Sequence, residues 1–212
     1  VFRLVKISAK AIFWDFDGVI KDSVSLKSDA FSELFSSSDK AVVNKINEHH
    51  ELNGGVSRYE KIPLYLEWSG KDCLEERVIK YEKKFSKLVK LKVIQSDWIP
   101  GVENYLRKHF NDHEFFLITA TPQNEIEEIL EALHIKHLFK KIVGSPIKKE
   151  IAINEILKER KILAKDSVMI GDSEHDYIAA KFNKVPFILR KTMLNRHVQE
   201  RLNCIMIDNF YE

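Results

Sequence analysis

The chain of 212 residues sets 34 lysines and arginines against 32 aspartates and glutamates, a formal net charge of +2, and is 44% hydrophobic. That length holds one α/β core plus an insert, and that apolar share is ordinary for a globular protein. The charges interleave without a basic tract, which argues against nucleic-acid and membrane-surface partners, and no apolar run reaches the length of a membrane span. Cys73 and Cys204 lie far apart and outside any metal-ligand spacing, as expected of reduced thiols in a cytoplasmic protein. The first residues lack the hydrophobic region of a signal peptide. Residue 1 is a valine rather than a methionine, so nothing rests on that end.

Ala11, Ile12, Phe13 and Trp14 form a continuous apolar run, the pattern of a strand buried on both faces of a parallel sheet. Asp15 and Asp17 follow at the carboxyl end of that strand, where open α/β sheets bind ligands. Gly18 lets the backbone turn sharply and bring peptide N–H groups near an anion. The spacing suits acyl-phosphate chemistry. Asp15 can attack phosphorus as a nucleophile, and Asp17 can protonate the leaving oxygen and later activate water. Donation at neutral pH needs a pKa above the ordinary value of about 3.9, and a neighbouring carboxylate with partial burial is expected to raise it. The competing explanation is that the two acids only cap a turn.

From about Ser23 to Trp98 the pattern is helical and contains no convincing strand. Four amphipathic stretches are marked by Phe31, Leu34 and Phe35, by Val42, Val43 and Ile46, by Ile62, Tyr65, Leu66 and Trp68, and by Val78, Tyr81, Phe85 and Val89. They imply an all-α cap over residues 22–98, inserted into a core of residues 1–21 and 99–212. The crossings fall near Lys21-Asp22-Ser23 and Asp97-Trp98-Ile99-Pro100 and allow hinge closure over the site. In the segment NGGVSRYEK, Gly54 and Gly55 end one helix and Ser57 N-caps the next. Arg58 in the first turn opposes the helix dipole, yet its planar fork can reach a substrate carboxylate or phosphate. Lys61 is the weaker candidate, and a solvated face is the alternative for both. His49 and His50, near a helix end, read as surface residues.

Phe115 to Thr121, FFLITAT, is a second buried strand. Thr119 can bond a phosphate oxygen, with the N–H groups of Ala120 and Thr121 as further donors. Alternatively Thr121 is an N-cap, with Pro122 as the first helical residue. Lys141 to Leu157 reads as a short strand, a Gly-Ser-Pro turn and a helix, and a lysine at the helix start can hold Asp15 and a phosphoryl group together. Helical phase favours Lys149, four residues before Ile153, over Lys148. Val168 to Ile170 is a third strand ending at Gly171. Beyond it Asp172 and Asp176 can converge with Asp15 and the backbone carbonyl of Asp17 on a hard cation such as Mg2+. Asp172 or Ser173 can instead cap the following helix, and His175 reads as exposed or as orienting a ligand. Phe187–Leu189 and Ile205–Ile207 complete the strands, with a helix over Thr192–Leu202 between them and the last strand at an edge. The expected fold is α/β, a three-layer sandwich around a doubly wound parallel sheet.

In this order, DFDGVIKDS, ITATP, GSPIKKE and IGDSEHD resemble the four motifs of the haloacid dehalogenase superfamily, in its phosphoglycolate phosphatase-like and beta-phosphoglucomutase-like branch, from Ala11 to about Arg190. The resemblance implies a Mg2+-dependent phosphatase acting on a small phosphorylated metabolite through an aspartyl-phosphate. It makes Asp15 the nucleophile, Asp17 the acid and base, Thr119 the phosphate-binding hydroxyl, Lys149 the stabilising cation, and Asp172 and Asp176 the metal-site acids. The presence of Asp17 argues against carbon–halogen hydrolysis, because the dehalogenases lack that aspartate and use no metal. A phosphosugar mutase shares every core motif and is the alternative, differing in how its cap excludes water. A non-catalytic phosphate-binding module is the third reading. The second motif departs from the pattern in carrying Ala-Thr after Thr119, where many members have glycine. Oligomeric state leaves no mark in the sequence.

Overall fold

A computed structural model describes residues 5–211. Its strands are β1 (Ala11–Trp14), β2 (Glu114–Pro122), β3 (Lys141–Ser145), β4 (Ser167–Gly171), β5 (Phe187–Arg190) and β6 (Ile205–Ile207). They form one sheet in the order β3-β2-β1-β4-β5-β6, with every pair parallel and β6 at an edge. The chain runs outward from β1 to β3, then returns to β4 on the other side and runs outward again. The strand order therefore reverses beside β1, and the crevice at such a switch point is where this architecture binds ligands.

Five helices alternate with the strands: α5 (Val102–His109), α6 (Gln123–Ala132), α7 (Lys149–Arg160), α8 (Glu174–Phe182) and α9 (Arg196–Arg201). Successive residues of a strand face opposite layers. Ile12 and Trp14 pack with Leu106, Ile126 and Leu130 from α5 and α6, whereas Ala11 and Phe13 pack with Ile153, Ile156 and Ala180 from α7 and α8. Both faces are apolar, which explains the unbroken hydrophobic runs, and the three-layer sandwich follows.

Between β1 and α5 lie α1 (Val24–Leu34), α2 (Lys40–Leu52), α3 (Arg58–Trp68) and α4 (Glu75–Gln95). Their inward aromatic residues meet: the Phe31 and Phe85 ring centroids are 4.1 Å apart, and Tyr65 stands edge-on to Phe31 at 5.1 Å. The two chain crossings are tied to each other. Asp22 N–H donates to the Asp97 carbonyl (2.9 Å), Ile99 N–H donates to the Ile20 carbonyl (3.0 Å), and Lys21 Nζ sits 4.5 Å from the Trp98 ring centroid.

Two local expectations are corrected. Thr121 is not an N-cap, because β2 continues through Pro122 and α6 starts at Gln123 with no side-chain cap. The helix expected over Thr192–Leu202 is only α9. Thr192 Oγ1 accepts from the N–H groups of Leu194 and Asn195, while Asn195 Oδ1 accepts from Thr192 N–H. Such side-chain bonds offer the backbone an alternative to helix.

Candidate active site

Asp15 follows β1 directly, and its N–H donates to the Ile170 carbonyl of β4 (3.0 Å), which fixes it at the switch point. The next turn depends on Gly18, at φ +74°, where a Cβ would lie 2.1 Å from Asp172 Oδ2. The loops after β1 and β4 approach so closely that only glycine fits. On the far side, Ser173 opens α8 with a capping box: its Oγ accepts from Asp176 N–H (3.3 Å), and Asp176 Oδ2 accepts from Ser173 N–H (3.1 Å) and Oγ (2.6 Å). The other Asp176 oxygen accepts from Lys149 Nζ (2.6 Å), and the same ammonium lies 2.9 Å from Asp15 Oδ1. Lys149 thus bridges two acids from the first turn of α7. Lys148 is the exposed N-cap residue of that helix and has no such contact.

Carboxylate oxygens of Asp15, Asp172 and Asp176 all lie within 4.8 Å of one another. Burial, and then Asp176, push the Asp15 carboxyl up to about 7 against the pull of Lys149. Burial, Asp15 and Asp176 push Asp172 well above the usual carboxylate range. Among the described residues no side-chain hydrogen bond satisfies the Asp172 carboxylate. Two buried acids and a half-buried one facing one lysine leave negative charge uncompensated, and the donors are all oxygen, so the set fits a hard divalent cation. The Asp17 carboxylate stands outside this set.

Asp17 has partners of its own. Oδ1 accepts from Ser23 Oγ (2.6 Å), and Oδ2 accepts a short bond from Lys27 Nζ and a longer one from Thr121 Oγ1 (3.3 Å). Burial alone would raise this carboxyl, but the Lys27 ammonium and the Ser23 hydroxyl outweigh it, and the pKa is lowered. The expected upward shift is therefore corrected: the charge nearest Asp17 is a cation, not the neighbouring carboxylate. Lys27 escaped the sequence reading, although it sits near the start of α1, where a cation opposes the helix dipole, the same signal that drew attention to Arg58. Thr119 is buried at the end of β2, and its Oγ1 accepts from Thr121 N–H (3.2 Å), so that N–H is not free for a phosphate. The Ala120 carbonyl accepts from Ser145 Oγ (2.6 Å), and Ser145 Oγ is also 2.7 Å from Ser57 Oγ at the start of α3.

Arg58 is engaged elsewhere than expected. Its two terminal nitrogens donate to Glu125 of α6 (2.8 and 2.5 Å), one of them also to Ser86 of α4 (3.0 Å), and the guanidinium lies 4.6 Å from the Phe85 ring centroid. The fork expected to meet a ligand is taken by a buried carboxylate. His50 is not a surface residue: it is 4% exposed, its ring tilted against that of Phe31 (centroids 4.9 Å apart), with Nδ1 2.9 Å from Lys61 Nζ. His49 is half-buried against Tyr65 and Trp68, and His175 is half-buried with Nδ1 unpartnered among the described residues.

Lys61 is 2% exposed, and burial with the nearby Lys27 charge brings its pKa down to about 7, against the opposing influence of Asp17 and Glu60. The cost of burying this cation is complete below pH 7, where both folded and unfolded chains carry the proton. It fades as pH rises toward the unfolded value of about 10.4. Lys61→Met is therefore expected to raise stability by about 1–4 kcal/mol at pH 6, with the gain shrinking toward pH 10, as read from urea unfolding midpoints. A gain that does not change with pH would contradict the burial of a charge here.

These groups share one cavity of about 40 Å³, lined by Asp15, Asp17 and Lys149 from the sheet side and by Lys27, Arg58 and Lys61 from the helices. A family model for haloacid dehalogenase-like hydrolases matches residues 12–189. The chain belongs to the haloacid dehalogenase-like hydrolases. Within that family it is 26% identical over 185 residues to a phosphoglycolate phosphatase of Aliivibrio fischeri, covering 81% of this chain and 79% of the relative. It is 34% identical over 70 residues, 31% of each chain, to that of Vibrio cholerae. Among solved structures, CbbY of Rhodobacter sphaeroides in complex with phosphate matches with a TM-score of 0.77 at 19% identity, over 95% of both chains. A beta-phosphoglucomutase of Clostridium difficile matches at 0.73 and 22% identity, over 95% of this chain and 92% of that one. Both structures show the hydrolase fold. Among the described residues, no helix is long and apolar enough to cross a membrane.

Proposed function

We propose that this hydrolase releases phosphate from a small phosphate monoester through an aspartyl-phosphate formed on Asp15. The observation that carries the reading is the bridge from Lys149 to Asp15 and Asp176 at the switch point, beside a third acid, Asp172, whose carboxylate has no side-chain hydrogen bond among the described residues. Lys149 holds Oδ1 of Asp15, leaving the other oxygen to form the bond to phosphorus as the ester P–O bond breaks. Thr119, with the Ala120 backbone, receives phosphoryl oxygens at the end of β2.

Asp17, held ionised by Lys27, is in the state that accepts the proton of an attacking water in the second step, when the Asp15–phosphorus bond breaks. To protonate a leaving alkoxide in the first step it takes up a proton, and the negative charge of an arriving phosphoryl group favours that. Asp15, Asp172 and Asp176, with the Asp17 carbonyl, would hold Mg2+, which when bound neutralises charge on the transferring group as a Lewis acid. Helices α1 to α4, residues 22–98, act as a cap that closes over Asp15 and excludes water. The free cysteines Cys73 and Cys204 suit a reducing cytoplasm.

The test is phosphate release from p-nitrophenyl phosphate. Activity is expected with Mg2+, with a loss of about 100-fold or more on chelation, since a Lewis-acid cation supplies several kcal/mol. No release under either condition overturns the proposal. Isomerisation of a sugar phosphate without net phosphate release would mark a mutase instead.

A further inference from the structure

We propose that the groove between the cap and the α7–α8 face of the core binds an apolar chain on the substrate's leaving portion, so that the enzyme prefers phosphate monoesters of alkyl alcohols to those of short or polar ones. The inference rests on the phosphatase reading above and names the substrate class of the same site.

The first argument is space. The cavity over Asp15 measures about 40 Å³, room for about three waters, and a phosphoryl group fills it. A groove of about 300 Å³ adjoins it, and Val56, Ala120 and Lys149 line both. With the cap in the observed position, the leaving portion of a bound ester runs out into this groove.

The second argument is what the groove opens onto. Ile147 and Ile178 line it from the β3–α7 turn and from α8, and they are 47% and 54% exposed. Ile151 follows Ile147 by one turn and Phe182 follows Ile178 by one turn, at 48% and 70% exposed. The two helices are tied together beside these residues: Asn183 Nδ2 donates to the Glu150 carbonyl (2.8 Å), and Asn154 Nδ2 donates to Asn183 Oδ1 (3.2 Å). Packing does not explain the patch, because α8 buries the small Ala179 and Ala180 in the core and turns the larger Ile178 and Phe182 outward. An apolar surface at the mouth of a groove marks a ligand site.

The polar lining does not select a charged chain. Ser57 and Ser145 bond to each other (2.7 Å), and the charges on the groove are of both signs, Lys148 against Glu60 and Glu150. An alkyl chain laid along the groove covers Ile147, Ile178 and Phe182 and closes the opening through which water reaches Lys149.

The experiment compares kcat/KM for ethyl, butyl and octyl phosphate, each below its aggregation limit, and for the monophosphate of diethylene glycol monoethyl ether, a polar chain of octyl length. Turnover of p-nitrophenyl phosphate is the check on hydrolysis itself. Wild type is expected to gain about twofold per methylene from butyl to octyl, the worth of a methylene covered on one side, with the polar chain staying near ethyl phosphate. Ile178→Ser with Phe182→Ser is expected to lower the octyl-to-ethyl ratio about tenfold, whereas Ile178→Leu with Phe182→Leu keeps most of it. These side chains are exposed, so thermal melts of both pairs are expected to stay near that of wild type. A flat series in wild type, a polar chain as good as octyl, or a ratio unchanged in the serine pair overturns the groove site, while p-nitrophenyl phosphate turnover leaves the phosphatase reading intact. A flat series together with a dimer in sedimentation that the serine pair dissociates overturns it in favour of a second copy of the chain on this patch. Absence of turnover on every probe in wild type overturns both readings.

Discussion

Asp15→Asn is expected to lower phosphate release by about 10,000-fold or more, measured with p-nitrophenyl phosphate at saturating Mg2+, because the neutral amide cannot form the bond to phosphorus. The substitution keeps the shape of the side chain, so the strand end need not move. It also removes one of the two acids, Asp15 and Asp172, that burial and neighbouring carboxylates hold above their ordinary range, which relieves Asp172. Thermal stability is accordingly expected to stay near that of wild type, and the loss is read as chemistry. The complementary readout is trapping of beryllofluoride in the presence of Mg2+, expected for wild type and absent from the variant. Activity undiminished by the substitution would remove Asp15 from its proposed role.

Breaking the Arg58–Glu125 pair is expected to have the largest effect on stability. Both side chains are almost fully buried, and the fork donates two bonds to one carboxylate across the boundary between α3 and α6. Glu125→Ala leaves a guanidinium in an apolar setting against Phe85 with only the Ser86 hydroxyl to meet it, and should cost about 3–5 kcal/mol. For a chain of this size that corresponds to a fall in Tm of roughly 10 °C. Removing both charges, as Arg58→Met with Glu125→Met, should recover most of the loss, because a buried pair replaced by apolar groups of similar volume is near neutral. A single-variant loss under about 1 kcal/mol, the range of exposed pairs, would show that the pair is not held in the interior in solution.

What the sequence disclosed divides by the range of the interactions concerned. Local patterns carry the fold: AIFW, FFLI and VMI are apolar on every residue because helices cover both faces of the sheet, and the four helical stretches of residues 22–98 announce themselves by period. The same locality placed Asp15, Asp17, Thr119 and Asp172 at strand ends and Lys149 and Asp176 in the helices that follow, and the structure gathers Asp15, Lys149, Asp172 and Asp176 into one cluster. The misses are pairings between distant residues. Glu125 lies 67 positions from Arg58, and nothing in either segment says that one will consume the other. Lys27 and Ser23 determine the charge state of Asp17, yet in sequence they are a helical lysine and a linker serine. His50 looks polar at a helix end and is buried only because α1 and α3 close over it. The helix expected from Thr192 begins only at Arg196 because Thr192 and Asn195 bond to one another's backbone, which periodicity does not register.

The central position of β1 sets an order on events during synthesis. Ala11 is aligned with Glu114 on one side and with Ser167 on the other, so the segment that carries Asp15 leaves the ribosome long before either neighbour exists. Helices α1 to α4 meet mainly one another and are complete in that interval, since contacts close in sequence form ahead of distant ones. Asp15 gains Lys149 and Asp176 only after most of the chain has emerged. Until then it is an ordinary aspartate on an unpaired strand, and the bridge through Lys149 to Asp176 belongs only to the nearly finished molecule.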